Sequence, residues 1–166
     1  VEFDAIACLS SQTLSSLVDL VSGLVDQETF THLTFNMPYD QVLMESWTLS
    51  LFSIKAANLT HLQISNLQCT SEDNRMSLID MAEQIFCVSN SLETLSIRMT
   101  ETSSECGKSL LSALANSSIT TLIKLDFSYN REWFEEIELL IQIVERQPKL
   151  QKLKLIECGI PESTEL

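Results

Sequence analysis

The chain has 166 residues, of which 45% are hydrophobic and 20% charged, and this composition predicts one folded domain with a full hydrophobic core rather than a disordered chain. Only 3 glycines and 3 prolines are present, which disfavours sandwiches and barrels built from many tight turns. A net charge of -13, from 23 acidic and 10 basic residues, argues against general binding to nucleic acid or to an anionic membrane.

A short apolar spacing recurs along the chain. It has the form L-x-x-L-x-L, with other apolar residues in place of some leucines, and its second half alternates as a β-strand does. Six copies follow one another at intervals of 27 to 33 residues, which indicates a repeat architecture. In chain order the copies are Phe3-Ile6-Cys8, Phe30-Leu33-Phe35, Leu59-Leu62-Ile64, Leu92-Leu95-Ile97, Leu122-Leu125-Phe127 and Leu150-Leu153-Leu155.

Between these copies the apolar residues recur with the period of a helix. Five helices are predicted, within residues 10–27, 39–57, 72–91, 105–118 and 131–147. The second is the least regular, and Pro148 ends the fifth. The apolar stripe of the fourth helix is Leu110, Leu111 and Leu114, and that of the fifth is Trp133, Ile137, Leu140, Ile141 and Val144. Of the adjacent aromatic residues Trp133 and Phe134, one is expected in the core and the other partly exposed on the outer face.

A strand followed by a helix, repeated, predicts a parallel sheet. Over essentially the whole chain this pattern resembles the leucine-rich repeat family, in its ribonuclease-inhibitor-like class. The motif Leu150-x-x-Leu153-x-Leu155-x-x-Cys158-x-Ile160 matches the family's pattern fully, and residues 122–130 match it nearly as well. The resemblance implies an α/β fold: a right-handed leucine-rich-repeat solenoid, or horseshoe, of about six repeats with a parallel concave sheet and convex helices.

The ninth position of each repeat is where the family places Asn or Cys to satisfy backbone groups at the inner turn. Asn130 and Cys158 occupy it in the last two copies, and the other copies have Ser11, Pro38, Leu67 and Thr100. The early repeats are therefore expected to be irregular, and the 33-residue interval implies an insertion near residues 68–74. Neither end resembles a polar cap, so residues 1–166 are expected to form a single leucine-rich-repeat domain within a longer protein.

In such a horseshoe, the third, fifth and seventh residues of each copy line the concave face. The three rows are Ala5, His32, His61, Thr94, Lys124, Lys152; Ala7, Thr34, Gln63, Ser96, Asp126, Lys154; and Leu9, Asn36, Ser65, Arg98, Ser128, Ile156. They hold four cations and one acid, while the acidic residues concentrate on the helices, above all in residues 132–145. The candidate partner-binding residues are His32, His61, Arg98, Lys124, Asp126, Lys152 and Lys154.

Two interpretations of these cations stay open. Arg98, Lys124, Lys152 and Lys154 form a docking surface for an acidic segment of a partner, or they are solvated strand positions where lysine prevents unwanted edge pairing. The histidines of the first row are expected to be an exposed polar pair with Cα atoms about 5 Å apart. Because no third ligand accompanies them, we predict no metal site.

Five cysteines, an odd number without a C-x-x-C pair, predict reduced and mostly buried thiols in an intracellular, cytoplasmic protein. They are Cys8, Cys69, Cys87, Cys106 and Cys158. No apolar run has the length of a membrane span, and no signal peptide precedes the first copy.

No arrangement of residues typical of an active site occurs in the sequence, so we expect neither catalysis nor a cofactor or small-molecule substrate. The main hypothesis is a protein-interaction module or scaffold that binds a partner, within a larger complex, on its concave sheet. Two alternatives come from the resemblance alone: a small-GTPase regulator of the Ran GTPase-activating type, for which Arg98 and Arg131 are the arginines near the inner face, and the ligand-sensing arm of an innate-immune receptor.

Overall fold

The computed structural model describes residues 31–36, 58–66, 68–69, 86, 90–98, 101–102, 104–134 and 137–160. These residues contain seven strands and two helices. The strands are β1 (His32–Asn36), β2 (His61–Ser65), β3 (Gln68–Cys69), β4 (Thr94–Arg98), β5 (Glu101–Thr102), β6 (Lys124–Asp126) and β7 (Lys152–Lys154), and the helices are α1 (Ser104–Asn116) and α2 (Glu138–Glu145).

Five of the strands form one sheet in the order β1-β2-β4-β6-β7, with every pairing parallel. Helix α1 lies between β4 and β6 in the chain, and α2 lies between β6 and β7, as crossovers between parallel neighbours require. The prediction of an α/β fold with a parallel sheet is thereby confirmed. The first predicted copy and the helices within residues 10–27 and 39–57 lie outside the described residues, and of the helix within 72–91 only Phe86 is described.

The repeated apolar residues occupy the centre of the core, because alternation along each strand sends them to one side of the sheet. The first residues of three copies, Leu59, Leu92 and Leu122, are fully buried, and the predicted stripe of α1 is buried with them. The last copy is less buried: Leu150 and Leu155 are partly buried and Leu153 of β7 is 39% exposed, since no described strand packs beyond β7. Among the described residues, the core contains Leu33, Leu59, Leu62, Ile64, Phe86, Leu92, Leu95, Ile97, Cys106, Leu110, Leu111, Leu114, Ala115, Ile119, Leu122, Leu125, Phe127, Trp133, Phe134, Leu140, Ile143 and Cys158.

The same backbone hydrogen bonds recur where each strand of the main sheet begins. One carbonyl oxygen accepts from two successive N–H groups of the next copy, at N···O distances of 2.7 to 3.1 Å. The accepting residues are Thr31, Thr60, Glu93 and Ile123. Beyond β2 and β4, the short segments β3 and β5 pair in a separate two-stranded parallel sheet, which the spacing of the copies does not predict.

The turn after the strand also recurs. Asn66, Tyr129 and Glu157, each seven residues after the first leucine of its copy, have positive φ angles of 59°, 67° and 52°. In the next position Asn130 donates from Nδ2 to the carbonyl oxygens of Ile97 and Phe127, at 2.8 and 2.7 Å. Cys158 Sγ lies 3.1 Å from the Phe127 oxygen. The predicted role of the ninth position, to satisfy inner backbone groups, is confirmed for these two copies.

Helix α2 differs from its prediction. It begins at Glu138, and residues 131–134 form a turn in which Trp133 and Phe134 are both buried against Phe127. The expectation of one partly exposed aromatic residue is wrong. Successive residues of a helix point about 100° apart, so a turn suits two adjacent aromatic rings that enter one core. The predicted stripe is wrong at one position as well, because Ile141 is 40% exposed and its near neighbour Ile143 only 1%.

The two residues that follow α2, Arg146 and Gln147, hydrogen-bond to the chain at and after the end of α1. The Arg146 guanidinium donates to the carbonyl oxygens of Ala115 and Ser117, which satisfies carbonyl groups that the end of a helix leaves open. Gln147 is 4% exposed; its Nε2 donates to the Ile119 oxygen at 2.7 Å, and its Oε1 accepts from the Leu122 N–H at 3.2 Å. The buried amide therefore holds the segment that leads from α1 into β6.

The Gln147 bridge predicts a large loss of stability in Gln147→Leu. The change leaves the Ile119 carbonyl and the Leu122 N–H buried without partners, so we expect the free energy of unfolding to fall by about 2 to 4 kcal/mol in urea denaturation. The matched control is Gln142→Leu on the exposed side of α2, where the expected change is within about 0.5 kcal/mol. Equal effects of the two substitutions would contradict the bridge.

A second prediction concerns the contact between α1 and the turn at residues 131–134. A Cβ atom added to Gly107 would lie 2.4 Å from the Trp133 ring. At a solvent-exposed helix position, replacing Gly by Ala stabilises the folded protein by about 1 kcal/mol. Forcing an extra carbon into a packed core instead destabilises it by about 1 to 3 kcal/mol. We therefore expect Gly107→Ala to lower the melting temperature. A rise in melting temperature would show that the ring does not lie against the helix.

Candidate partner-binding face

The first two predicted rows of side chains lie in register across the main sheet. His32, His61, Thr94, Lys124 and Lys152 are successive Cα partners, and so are Thr34, Gln63, Ser96, Asp126 and Lys154. We call these ten residues, together with Arg98 at the end of β4, the strand face. Neighbouring strands are about 4.8 Å apart, so each row is a line of side chains at that spacing.

The third predicted row is only partly in place. Asn36, Ser65 and Arg98 are partners at the ends of β1, β2 and β4. Ser128 does not belong to an exposed row, because it is fully buried and its hydroxyl accepts a hydrogen bond from the Ile156 N–H at 3.3 Å. Strand β6 ends at Asp126, and the turn that follows carries Ser128 inward. Ser96 of the second row is also buried, at 7% exposure.

Asp126 is the centre of a charged cluster on the strand face. Its side chain is 14% exposed, with Oδ2 3.5 Å from Lys154 Nζ and 3.8 Å from Arg98 Nε. Its Oδ1 accepts a hydrogen bond from the Ser128 N–H at 3.0 Å. The guanidinium of Arg98 also lies over the Tyr129 ring, 5.5 Å from the centroid, which is a favourable cation–π distance. One carboxylate thus holds two of the four predicted cations.

The environment of Asp126 keeps its carboxylate ionised. Burial, the largest single influence, would raise the pKa of this group, but the hydrogen bonds from the Ser128 hydroxyl and N–H and the charges of Arg98 and Lys154 together outweigh it. The net result is a pKa below the ordinary value for aspartate. Asp126 therefore remains a fixed negative charge at neutral pH. The sequence predicted the place of Asp126 in its row. It did not predict that Ser128 and Tyr129 surround the cluster, because the conformation of the turn after β6 brings both residues there.

Lys124 and Lys152 are placed differently from the other two cations. They are Cα partners on β6 and β7, and both side chains are exposed. The ion pairs found among the described residues involve Arg98, Arg131 and Lys154, and neither of these two lysines. Like charges directly opposite each other on neighbouring strands repel. The strand face therefore presents a pair of ammonium groups that no carboxylate of the described chain neutralises.

The two histidines form a stacked pair at the other end of the first row. Their ring centroids are 3.9 Å apart and the ring planes differ by 12°. Thr60 donates its single hydroxyl proton to the Thr31 carbonyl oxygen at 2.9 Å, and His61 Nδ1 lies 2.8 Å from the same hydroxyl. The proton of that contact must therefore come from His61 Nδ1, which leaves Nε2 as the acceptor nitrogen of the neutral ring.

The surroundings of His61 favour its neutral form. Partial burial lowers the pKa of this residue, the neighbouring His32 lowers it further, Glu93 opposes the shift and Lys124 adds a small decrease. The pKa is accordingly below the ordinary value for histidine, and the ring is uncharged at neutral pH. Thr31 Oγ1 and His32 Nδ1 repeat the same contact on β1, at 2.8 Å.

Metal ligands and thiols are the other candidate chemistry of the described ranges. Among these residues no group of three or more His, Cys, Asp or Glu side chains is placed to hold a metal ion. Cys106 and Cys158 are both buried, and burial raises the pKa of the Cys158 thiol above its ordinary value. The described helices include none that is long and apolar enough to cross a membrane. No family model, curated protein or solved structure matches the chain.

The cluster around Asp126 predicts a pH-dependent contribution to stability. Because the pKa of Asp126 is lower in the folded chain than in the unfolded one, its contribution is complete above the unfolded value and is lost as the pH falls through the folded value. At neutral pH we expect Asp126→Asn to lower the free energy of unfolding by about 1 kcal/mol. Below about pH 4 the difference between the variant and the original chain should shrink.

Glu157→Gln is the matched control for this measurement. Its carboxylate pairs with Arg131 at 2.9 Å, but both side chains are more than half exposed, so the pair adds little to stability. Urea denaturation between about pH 3 and pH 7 compares the two variants. A constant difference across that range for Asp126→Asn would contradict the assignment of the low pKa.

Proposed function

We propose that the chain is a non-catalytic interaction module, a leucine-rich-repeat horseshoe that binds an acidic segment of a partner protein on its strand face. The observation that carries the proposal is the exposed pair Lys124 and Lys152, side by side on neighbouring strands and without a carboxylate of the described residues in ion-pair distance. An acidic group of a partner supplies the missing counter-charge.

The horseshoe part of the proposal is supported by features that recur from copy to copy. They are the carbonyl that accepts two N–H groups, the positive φ seven residues after the first leucine, and the buried donor at the ninth position. Repeats of this kind expose an apolar flank and are stable only when stacked on neighbours. The stack leaves one broad sheet surface for a partner, and its rigidity limits the entropy lost on binding.

The charge arrangement indicates where the partner binds. Asp126 offsets part of the charge of Arg98 and Lys154, which lie 3.8 and 3.5 Å from its Oδ2, so these two cations border the site rather than form its centre. Lys124 and Lys152 form the centre. Each exposed ion pair contributes only about 0 to 1 kcal/mol, so affinity must come from several contacts made together.

The cysteines and arginines bear on the wider proposal. Cys158 is a free, buried thiol, which fits an intracellular protein that acts within a larger complex. The arginines considered for a GTPase regulator are engaged within the chain, Arg98 with Asp126 and Arg131 with Glu157. That pairing offers the regulator hypothesis no support, and the interaction module is the proposal we carry forward.

The docking proposal is tested with the double variant Lys124→Glu/Lys152→Glu. We expect it to weaken binding of a labelled Glu-rich peptide by about tenfold in fluorescence anisotropy, because two attractions become two repulsions. The matched control is Lys108→Glu/Lys149→Glu, which makes the same change of charge at exposed lysines of α1 and of the loop after α2. The control keeps most of the affinity, and added salt weakens the original binding. If both double variants bind equally well, the lysine pair is not the site.

A further inference from the structure

The first row of the strand face has two distinct ends. Lys124 and Lys152 stand at one end and the stacked histidines at the other, with Thr94 between them. The distance from the middle of the histidine pair to the middle of the lysine pair is three strand spacings, or about 14 Å. The row therefore offers two places for an acidic group, of which one is permanently charged and the other depends on a proton.

The hydrogen bonds of the histidines leave one nitrogen of each ring for a partner. Nδ1 of His32 and Nδ1 of His61 contact the hydroxyls of Thr31 and Thr60, and neither Nε2 bonds to a described residue. When Nε2 takes a proton, the ring becomes an imidazolium that can donate to a carboxylate. Two charges on rings 3.9 Å apart repel, so the stack takes up one proton more readily than two.

We infer that an acidic partner segment spans this row, with one acidic group on the lysine pair and a second on the histidine pair, and that binding at the histidine pair takes up a proton. The inference rests on the proposed function, because it extends the footprint of that same site. It names the partner's chemistry more closely: two acidic groups about 14 Å apart, which is four residues of an extended chain.

The charges that face the histidine pair are consistent with such a subsite. His61 is next to His32 on one side, and across the sheet it is influenced by Glu93, just before β4, and by Lys124 on β6. The carboxylate of Glu93 favours the protonated ring and the ammonium of Lys124 opposes it. An incoming carboxylate adds a second favourable charge, so the bound chain holds the proton at a pH where the free chain does not.

Two labelled hexapeptides test the inference on the full chain. The first has two Glu-Glu pairs joined by Gly-Ser, which places the pairs four residues apart, and the second replaces its first Glu-Glu by Gln-Gln. Fluorescence anisotropy gives both affinities at pH 7.5 and pH 5.5, where glutamate remains ionised. We expect the first peptide to bind about fivefold more tightly at the lower pH, and the second to change much less.

Two variants separate a proton-linked subsite from a structural role of the histidines. His32→Gln/His61→Gln removes the titrating groups, and the preference of the first peptide for low pH disappears. His32→Lys supplies a permanent charge on the exposed ring position, so the first peptide binds tightly at both values of pH. Circular dichroism spectra and melting temperatures establish that each variant is folded.

The outcomes distinguish this inference from the proposed function. Suppose that Lys124→Glu/Lys152→Glu abolishes binding of the one-pair peptide, but His32→Gln/His61→Gln leaves the pH response intact. That result overturns the histidine subsite and leaves the proposed function standing. Absence of binding by either peptide up to millimolar concentration overturns both. Loss of the pH response in the glutamine variant, and pH-independent tight binding by His32→Lys, support the inference.

Discussion

The register between successive parallel strands is the constraint on which the rest of this structure depends. At the four described junctions between copies, one carbonyl accepts two N–H groups of the next copy, and this fixes which residues are opposite each other. A slip of one residue would turn every inward leucine outward. Because the buried Leu125 is the Cα partner of Leu153, Lys124 must lie opposite Lys152 on the other side of the sheet. Burial of apolar residues therefore dictates the pattern of charge.

The side chains that satisfy buried backbone groups complete this constraint. Asn130 and Cys158 donate to carbonyls inside the turns, and Gln147 bridges the chain between α1 and β6. A buried carbonyl without a donor costs free energy, so each turn keeps its conformation only with its donor in place. The turn after β6 also places Ser128 beside Asp126. The charged cluster thus depends on polar groups that no partner would contact.

The sheet and its first two rows could be predicted from sequence because spacing alone determines them: residues at equal places in equal copies become neighbours. The start of α2 could not, since the apolar period from Trp133 onward fits a helix and only packing reveals that Trp133 and Phe134 both enter the core. The division of the four cations also escaped prediction. It depends on which ammonium groups reach Asp126, a matter of side-chain geometry rather than of order along the chain.

A basic face on a chain with a net charge of -13 is effective only over short distances. At physiological ionic strength charges further away than about 8 Å are largely screened, whereas the lysines of one row are a single strand spacing apart. The exposed glutamates Glu132, Glu138 and Glu145 belong to the turn before α2 and to α2 itself. A carboxylate on the strand face therefore interacts mainly with Lys124 and Lys152, and with the acidic remainder weakly. At the acidic remainder of the surface an acidic partner would meet like charges at contact, which repel it, so the strand face combines attraction at contact with discrimination over the rest of the surface.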